Sequence, residues 1–116
     1  MFYVLSISDD PSTAPIRNTV LAHAGYGVIP VRNISIALEV MAARQVSIVV
    51  IGNSIPPHER MRVCTEALRR GIPSVVLDSR ERGIDGPSTE HFNPLDGPEA
   101  FLEKLAALVR PRQSSR

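Results

Sequence analysis

The sequence predicts one α/β domain, a doubly wound parallel sheet with helices on both faces. Three observations carry this. Short apolar runs alternate with stretches of helical period along most of the chain. The densest run, Val46 to Ile51, is apolar apart from Ser47 and lacks sustained polar alternation, as a strand covered on both faces requires. Glycines, finally, stand where helices must stop, at Gly25 and Gly71.

Phe2 to Ser8 is rich in β-branched and aromatic residues and runs into Asp9-Asp10, which marks a buried first strand. Ile16, Val20 and Leu21, with Ala24 behind them, then fall at helical spacing up to Gly25. Pro15 belongs in the first turn of that helix, because deeper in it would lose a hydrogen bond and clash. Tyr26 to Val31 predicts a second strand, and Pro30 makes it an edge strand or one broken there. Asn33 is placed to cap a helix over Ile34 to Arg44, with Ile36, Leu38, Val40 and Met41 among its apolar positions. After the Val46–Ile51 strand, Pro56 and Pro57 open a helix to Arg70 with an inner stripe of Met61, Cys64, Ala67 and Leu68.

Ile72 to Asp78 predicts a fourth strand, "EHF" (Glu90 to Phe92) a brief fifth, and Pro98 to Arg110 a last helix. The inner face of that helix is Phe101, Leu102, Leu105, Leu108 and Val109. The segment Ser79–Glu90 breaks the alternation. It carries Gly83, Gly86, Pro87 and one large apolar residue, Ile84, so no amphipathic helix can be written there. Residues 111–116 form a polar tail.

A chain of 116 residues suits one domain with one sizeable core. A net charge of +1 gives no strong electrostatic footprint and argues neither for nor against nucleic acid; twelve of the thirteen cations are arginine, Lys104 being the exception. Cys64 is the only cysteine, which excludes an intramolecular disulfide and a cysteine zinc site. The apolar start lacks a basic lead and is too short to span a membrane, so a cytoplasmic protein is expected.

Four pieces in order resemble the receiver domain of two-component response regulators, the CheY-like family, from Phe2 to about Arg110. They are "SISDDPST", "SIVVIGNSIPP", "IPSVVLD" and "FNP". The resemblance implies a flavodoxin-like sheet in the order 2-1-3-4-5, here with the fourth helix reduced or absent. It also implies five chemical groups at the strand ends. Two carboxylates after strand 1 would hold Mg²⁺, and an aspartate ending strand 3 would be the phosphoacceptor. A hydroxyl after strand 4 and a lysine after strand 5 would stabilise the phosphoryl oxygens. Position by position, Asp9 and Asp10 match the acidic pair, Gly52 stands at the phosphoacceptor, Asp78 at the hydroxyl and Asn93 at the lysine. Gly52 cannot accept a phosphoryl group. Asp78 would repel one, and Asn93 lacks the positive charge.

Other constellations carry less. Asp9 and Asp10, with Asp78 as a third oxygen donor, are the one arrangement that offers a divalent cation a site; the plainer reading has Asp10 capping the first helix. His58 and Cys64 lie six residues apart, about 600° around a helix, and so on different faces. His23 and His91 lack sequence neighbours at metal-ligand spacing. Arg69, Arg70, Arg80, Arg82, Arg110, Arg112 and Arg116 have acidic residues among them and few aromatics, which favours solvated or protein-facing roles over nucleic acid. "SDDPST" lacks the glycines and lysine of a nucleotide-binding turn.

The expectation is therefore a stand-alone degenerate receiver over residues 1–110, with no catalytic residue and no cofactor. It would signal without phosphorylation, through a protein partner or self-association, by the strand-4 end, the Ser79–Glu90 loop and the last helix. The rival from another class is a metal- or small-molecule-binding α/β protein using the acidic cluster Asp9, Asp10 and Asp78.

Overall fold

A computed structural model describes residues 2–52, 54–77, 90–93 and 96–109. Five strands form one parallel sheet: β1 (Tyr3–Ile7), β2 (Gly27–Val31), β3 (Ile48–Gly52), β4 (Ser74–Leu77) and β5 (Glu90–Phe92). Their order is β2-β1-β3-β4-β5, as expected. Four helices are found among the described residues: α1 (Ala14–His23), α2 (Ile34–Ala43), α3 (Pro57–Arg69) and α4 (Pro98–Val109).

The sheet sorts its side chains by parity. Leu5, Ile7, Val49, Ile51 and Val76 pack with Ala37, Met41, Val63 and Ala67 on the α2–α3 face. Val4, Ile48, Val50, Val75 and Leu77 pack with Leu21, Phe101, Leu105 and Val109 on the α1–α4 face. Every residue of β3 is buried, which explains its unbroken apolar run. Phe92 and Phe101 join β5 to α4, with ring centroids 5.4 Å apart.

The local signals hold where they rest on backbone chemistry. Pro30 lies exposed on the edge strand β2, opposite Ser6 of β1. Asn33 caps α2, its side chain accepting from the Ile36 N–H at 2.9 Å. Gly25 (φ 98°) and Gly71 (φ 73°) take the left-handed conformation after α1 and α3. The expected helix faces need correction. On α3 the buried residues are Arg60, Val63, Cys64 and Ala67, while Met61 and Leu68 are exposed. On α1 only Leu21 is buried and Ile16 is 67% exposed. Met61 and Leu68 lie one heptad apart with Cys64 between them, so they form an alternative stripe; the sheet selects the neighbouring one.

Asp78, the stretch 79–89 with Ile84, and the 111–116 tail lie outside the described residues. So do Arg80, Arg82, Arg110, Arg112 and Arg116. No helix among the described residues is long and apolar enough to cross a membrane.

Candidate functional site: an arginine over a glycine

The carboxyl ends of β1 and β3 build the site, and strand parity decides what faces it. Ile48 and Val50 point to the α1–α4 face, so Gly52 opens to that side too. On β1, Ser6 lies on the same face, opposite Val50, and Ser8 follows one step beyond the Ile7–Ile51 pair. A β-carbon placed on Gly52 would stand 3.3 Å from Ser8 Oγ and 3.4 Å from the Ile7 carbonyl oxygen. It would also stand 3.4 Å from Arg17 Nη1. A guanidinium thus borders the space that a phosphoacceptor side chain would need.

Arg17 reaches this point from α1, one turn before the buried Leu21. Its Nε and Nη2 donate to Ser6 Oγ at 3.2 and 2.8 Å, and Nη2 donates to the Ile7 carbonyl at 3.4 Å. Ser6, 1% exposed, completes the set by donating its own proton to Asn18 Oδ1 at 2.7 Å. Burial pushes the Arg17 guanidinium down to about 10, and the negative charge of Asp10 opposes that shift. The cation stays protonated at neutral pH.

Asp10 does not cap α1. The N-cap is Thr13, whose side chain makes no capping bond. Asp10 instead closes the turn ahead of the helix: its Oδ1 accepts from the Ser12 hydroxyl at 2.7 Å and the Ser12 N–H at 2.9 Å. Those bonds, the hydroxyl foremost, hold its carboxyl below the usual range. Its N–H donates to Ser8 Oγ at 3.1 Å. Asp9 is exposed.

Of the five positions singled out from sequence, the structure brings Asp10 and Gly52 to one cleft of about 330 Å³. Ser8, Thr13, Arg17, Ser54 and Leu77 complete its lining among the described residues. Asp9 lines an adjoining hollow with Asp10. Asn93 follows β5, half-buried, its carbonyl accepting from the Asp96 N–H at 3.0 Å, and does not line the cleft. Cys64 is buried within α3 and His58 exposed at its start, so they form no pair. Arg69 and Arg70 both bond to Glu66.

The Mg²⁺ that the receiver resemblance implies does not suit these residues. The carboxylate expected at Gly52 is missing, and Arg17 already supplies a positive charge beside that position. One Asp10 oxygen is also committed twice to Ser12. Among the described residues no three His, Cys, Asp or Glu side chains gather at metal-binding distance.

Sequence reasoning missed Arg17. The signal was present: Arg17 precedes the apolar Leu21 by four residues and therefore shares its helix face.

No protein-family model matches the chain, and no curated protein sequence matches it. Solved structures do match. The receiver domain of a signal-transduction histidine kinase from Syntrophus aciditrophicus superposes with a TM-score of 0.82 at 14% identity, covering 100% of this chain and 96% of that one. Chemotaxis protein CheY4 of Vibrio cholerae gives 0.78 at 19% identity, over 93% and 98% of the two chains. A chain of the Saccharomyces cerevisiae co-crystal of the histidine phosphotransfer protein Ypd1 with the receiver domain of Ssk1 gives 0.75 at 10% identity, over 96% and 90%. The fold is that of CheY-like response-regulator receiver domains.

Proposed function

We propose that the chain is a receiver-like signalling module that works without aspartyl phosphorylation, through contact with a protein partner or a second copy of itself. The observation that carries this reading is Gly52 at the phosphoacceptor position, with the Arg17 guanidinium beside it. A phosphoryl switch needs a nucleophile, a metal and a group that senses the product. Here the first is missing, and a fixed arginine cation stands in the region where the second would act. The site is thereby set in one charge state.

Contact with a protein is supported by the matched co-crystal, in which a receiver domain is bound to a histidine phosphotransfer protein. It is supported too by an apolar groove of about 250 Å³ between α1 and α4, walled by Ile16, Val20, Phe92 and Phe101. The alternative built on Asp9, Asp10 and Asp78 draws no support from a cleft in which the Arg17 cation interacts with Asp10.

Beryllofluoride with Mg²⁺ tests the reading, because the beryllium must be bound by an acceptor carboxylate. The amide spectrum of the wild-type protein is expected to stay unchanged when the reagent is added. New slow-exchange resonances from the ends of β1, β3 and β5 would sink the proposal.

A further inference from the structure

The cleft over Gly52 has donors to spare. Arg17 commits Nε and Nη2 to Ser6 and Ile7, yet among the described residues its Nη1 donates to no acceptor. That nitrogen is the one facing the empty side of Gly52. Ser8 is 7% exposed, and its Oγ accepts from the Asp10 N–H, but among the described residues its own proton has no acceptor. Two donors, one charged and one more than nine-tenths buried, therefore converge on a cleft in which Gly52 contributes only backbone. Thr13 and Ser54 add hydroxyls at the rim, and Leu77 supplies an apolar wall.

We infer that this cleft binds a small organic monocarboxylate, which completes the site as an aspartate side chain would but without a covalent link. The class follows from charge and shape. Asp10 lines the cleft and Asp9 stands near it, so a dianion such as phosphate meets repulsion twice where a carboxylate meets it once. A carboxylate accepts charge-assisted bonds from Nη1 and Ser8 Oγ with one oxygen each. A volume of about 330 Å³ exceeds what the carboxylate group alone fills, and Leu77 marks where a short aliphatic tail lies. The inference does not depend on the signalling reading. Phosphoryl transfer to the wild-type chain would end that reading and leave carboxylate binding to stand or fall by its own titration.

The test is an amide-resolved NMR titration of the full chain with acetate and then butyrate, at constant ionic strength against chloride. The expected result is saturable shifts at Ser8, Asp10, Arg17, Gly52 and Ser54. Butyrate should bind tighter than acetate by about threefold to fourfold for each methylene buried. Gly52→Asp, which tethers a carboxylate in the same space, should abolish the shifts. Ser54→Ala changes an exposed residue and preserves the fold; it should weaken binding by about threefold to tenfold, the loss of one hydrogen bond. Absence of saturable shifts in the folded wild-type protein overturns the inference. So does undiminished binding in Gly52→Asp, and so does inorganic phosphate binding more tightly than either carboxylate.

Discussion

Gly52→Asp restores the side chain that the receiver resemblance leads one to expect, and the structure says what it would meet. Its β-carbon enters at 3.3–3.4 Å from Ser8 Oγ, Arg17 Nη1 and the Ile7 carbonyl, so the neighbours must give by a few tenths of an ångström. The two side chains can yield; the carbonyl cannot. The introduced carboxylate then pairs with Arg17, whose charge is held in a partly desolvated place. A hydrogen bond between charged groups contributes about 1.5–3 kcal/mol, and desolvating the carboxylate takes part of that back. We expect a coupling energy of about 1–2 kcal/mol between Gly52→Asp and Arg17→Gln at pH 7, read from urea unfolding of the two single variants, the double variant and the wild type. The sign with pH follows from linkage. The guanidinium lowers the folded-state pKa of the new carboxylate, so its stabilisation is present above the unfolded value of about 3.9 and is lost as pH falls through the lower folded value. Coupling below about 0.5 kcal/mol, or coupling that survives full protonation, would refute the placement of Arg17.

Four further outcomes are expected. Gly52→Asp alone should give no long-lived phosphoryl adduct, because Asp78 keeps a like charge at the position matched to the hydroxyl and Asn93 offers no cation at that of the lysine. The triple change Gly52→Asp, Asp78→Thr, Asn93→Lys should give some, detectable by intact mass after acyl phosphate and Mg²⁺; a stable adduct on the single variant would show that Asp78 and Asn93 do not oppose it. Leu21→Ala, at the only buried position of α1, should cost about 2–5 kcal/mol, whereas Ile16→Ala on the same helix, 67% exposed, should stay within about 0.5 kcal/mol; equal costs in denaturant melts would place α1 in the wrong rotation. Asn33→Ala should cost about 1 kcal/mol by removing the cap on α2, and Asn33→Asp should restore most of it. Glu66, held by Arg69 and then Arg70, should titrate at about 2 in a side-chain carboxyl NMR titration, so its pairing persists above the usual glutamate range and is lost as pH falls through about 2; an ordinary glutamate value would mean that the two arginines are not in place.

The fold was legible because its signals are backbone signals. Pro30 cannot sit inside a ladder, Gly25 and Gly71 take the left-handed conformation after their helices, and Asn33 caps because its side chain reaches the Ile36 N–H. Even the three-residue strand Glu90–Phe92 lies where the sequence places it. The helix faces were less legible. Met61, Cys64 and Leu68 form as good an apolar stripe as Val63, Cys64 and Ala67, and only packing on the sheet shows that Arg60 goes in while Met61 stays out. The site was half legible. That a glycine without a reactive side chain ends β3 can be read from the sequence alone. The sequence puts Arg17 on the helix face of Leu21 but not beside Gly52, because the two are 35 positions apart and meet only once α1 packs beside the end of β3. The folded chain brings the Arg17 charge within reach of Asp10 as well.

The wild-type chain is expected to carry no aspartyl phosphorylation chemistry. Intact-mass measurement after incubation with acetyl phosphate and Mg²⁺, repeated with hydroxylamine, tests it most directly. An unchanged mass is expected at every Mg²⁺ concentration. A mass gain of one phosphoryl group that hydroxylamine removes would contradict it and would require an acceptor other than Gly52.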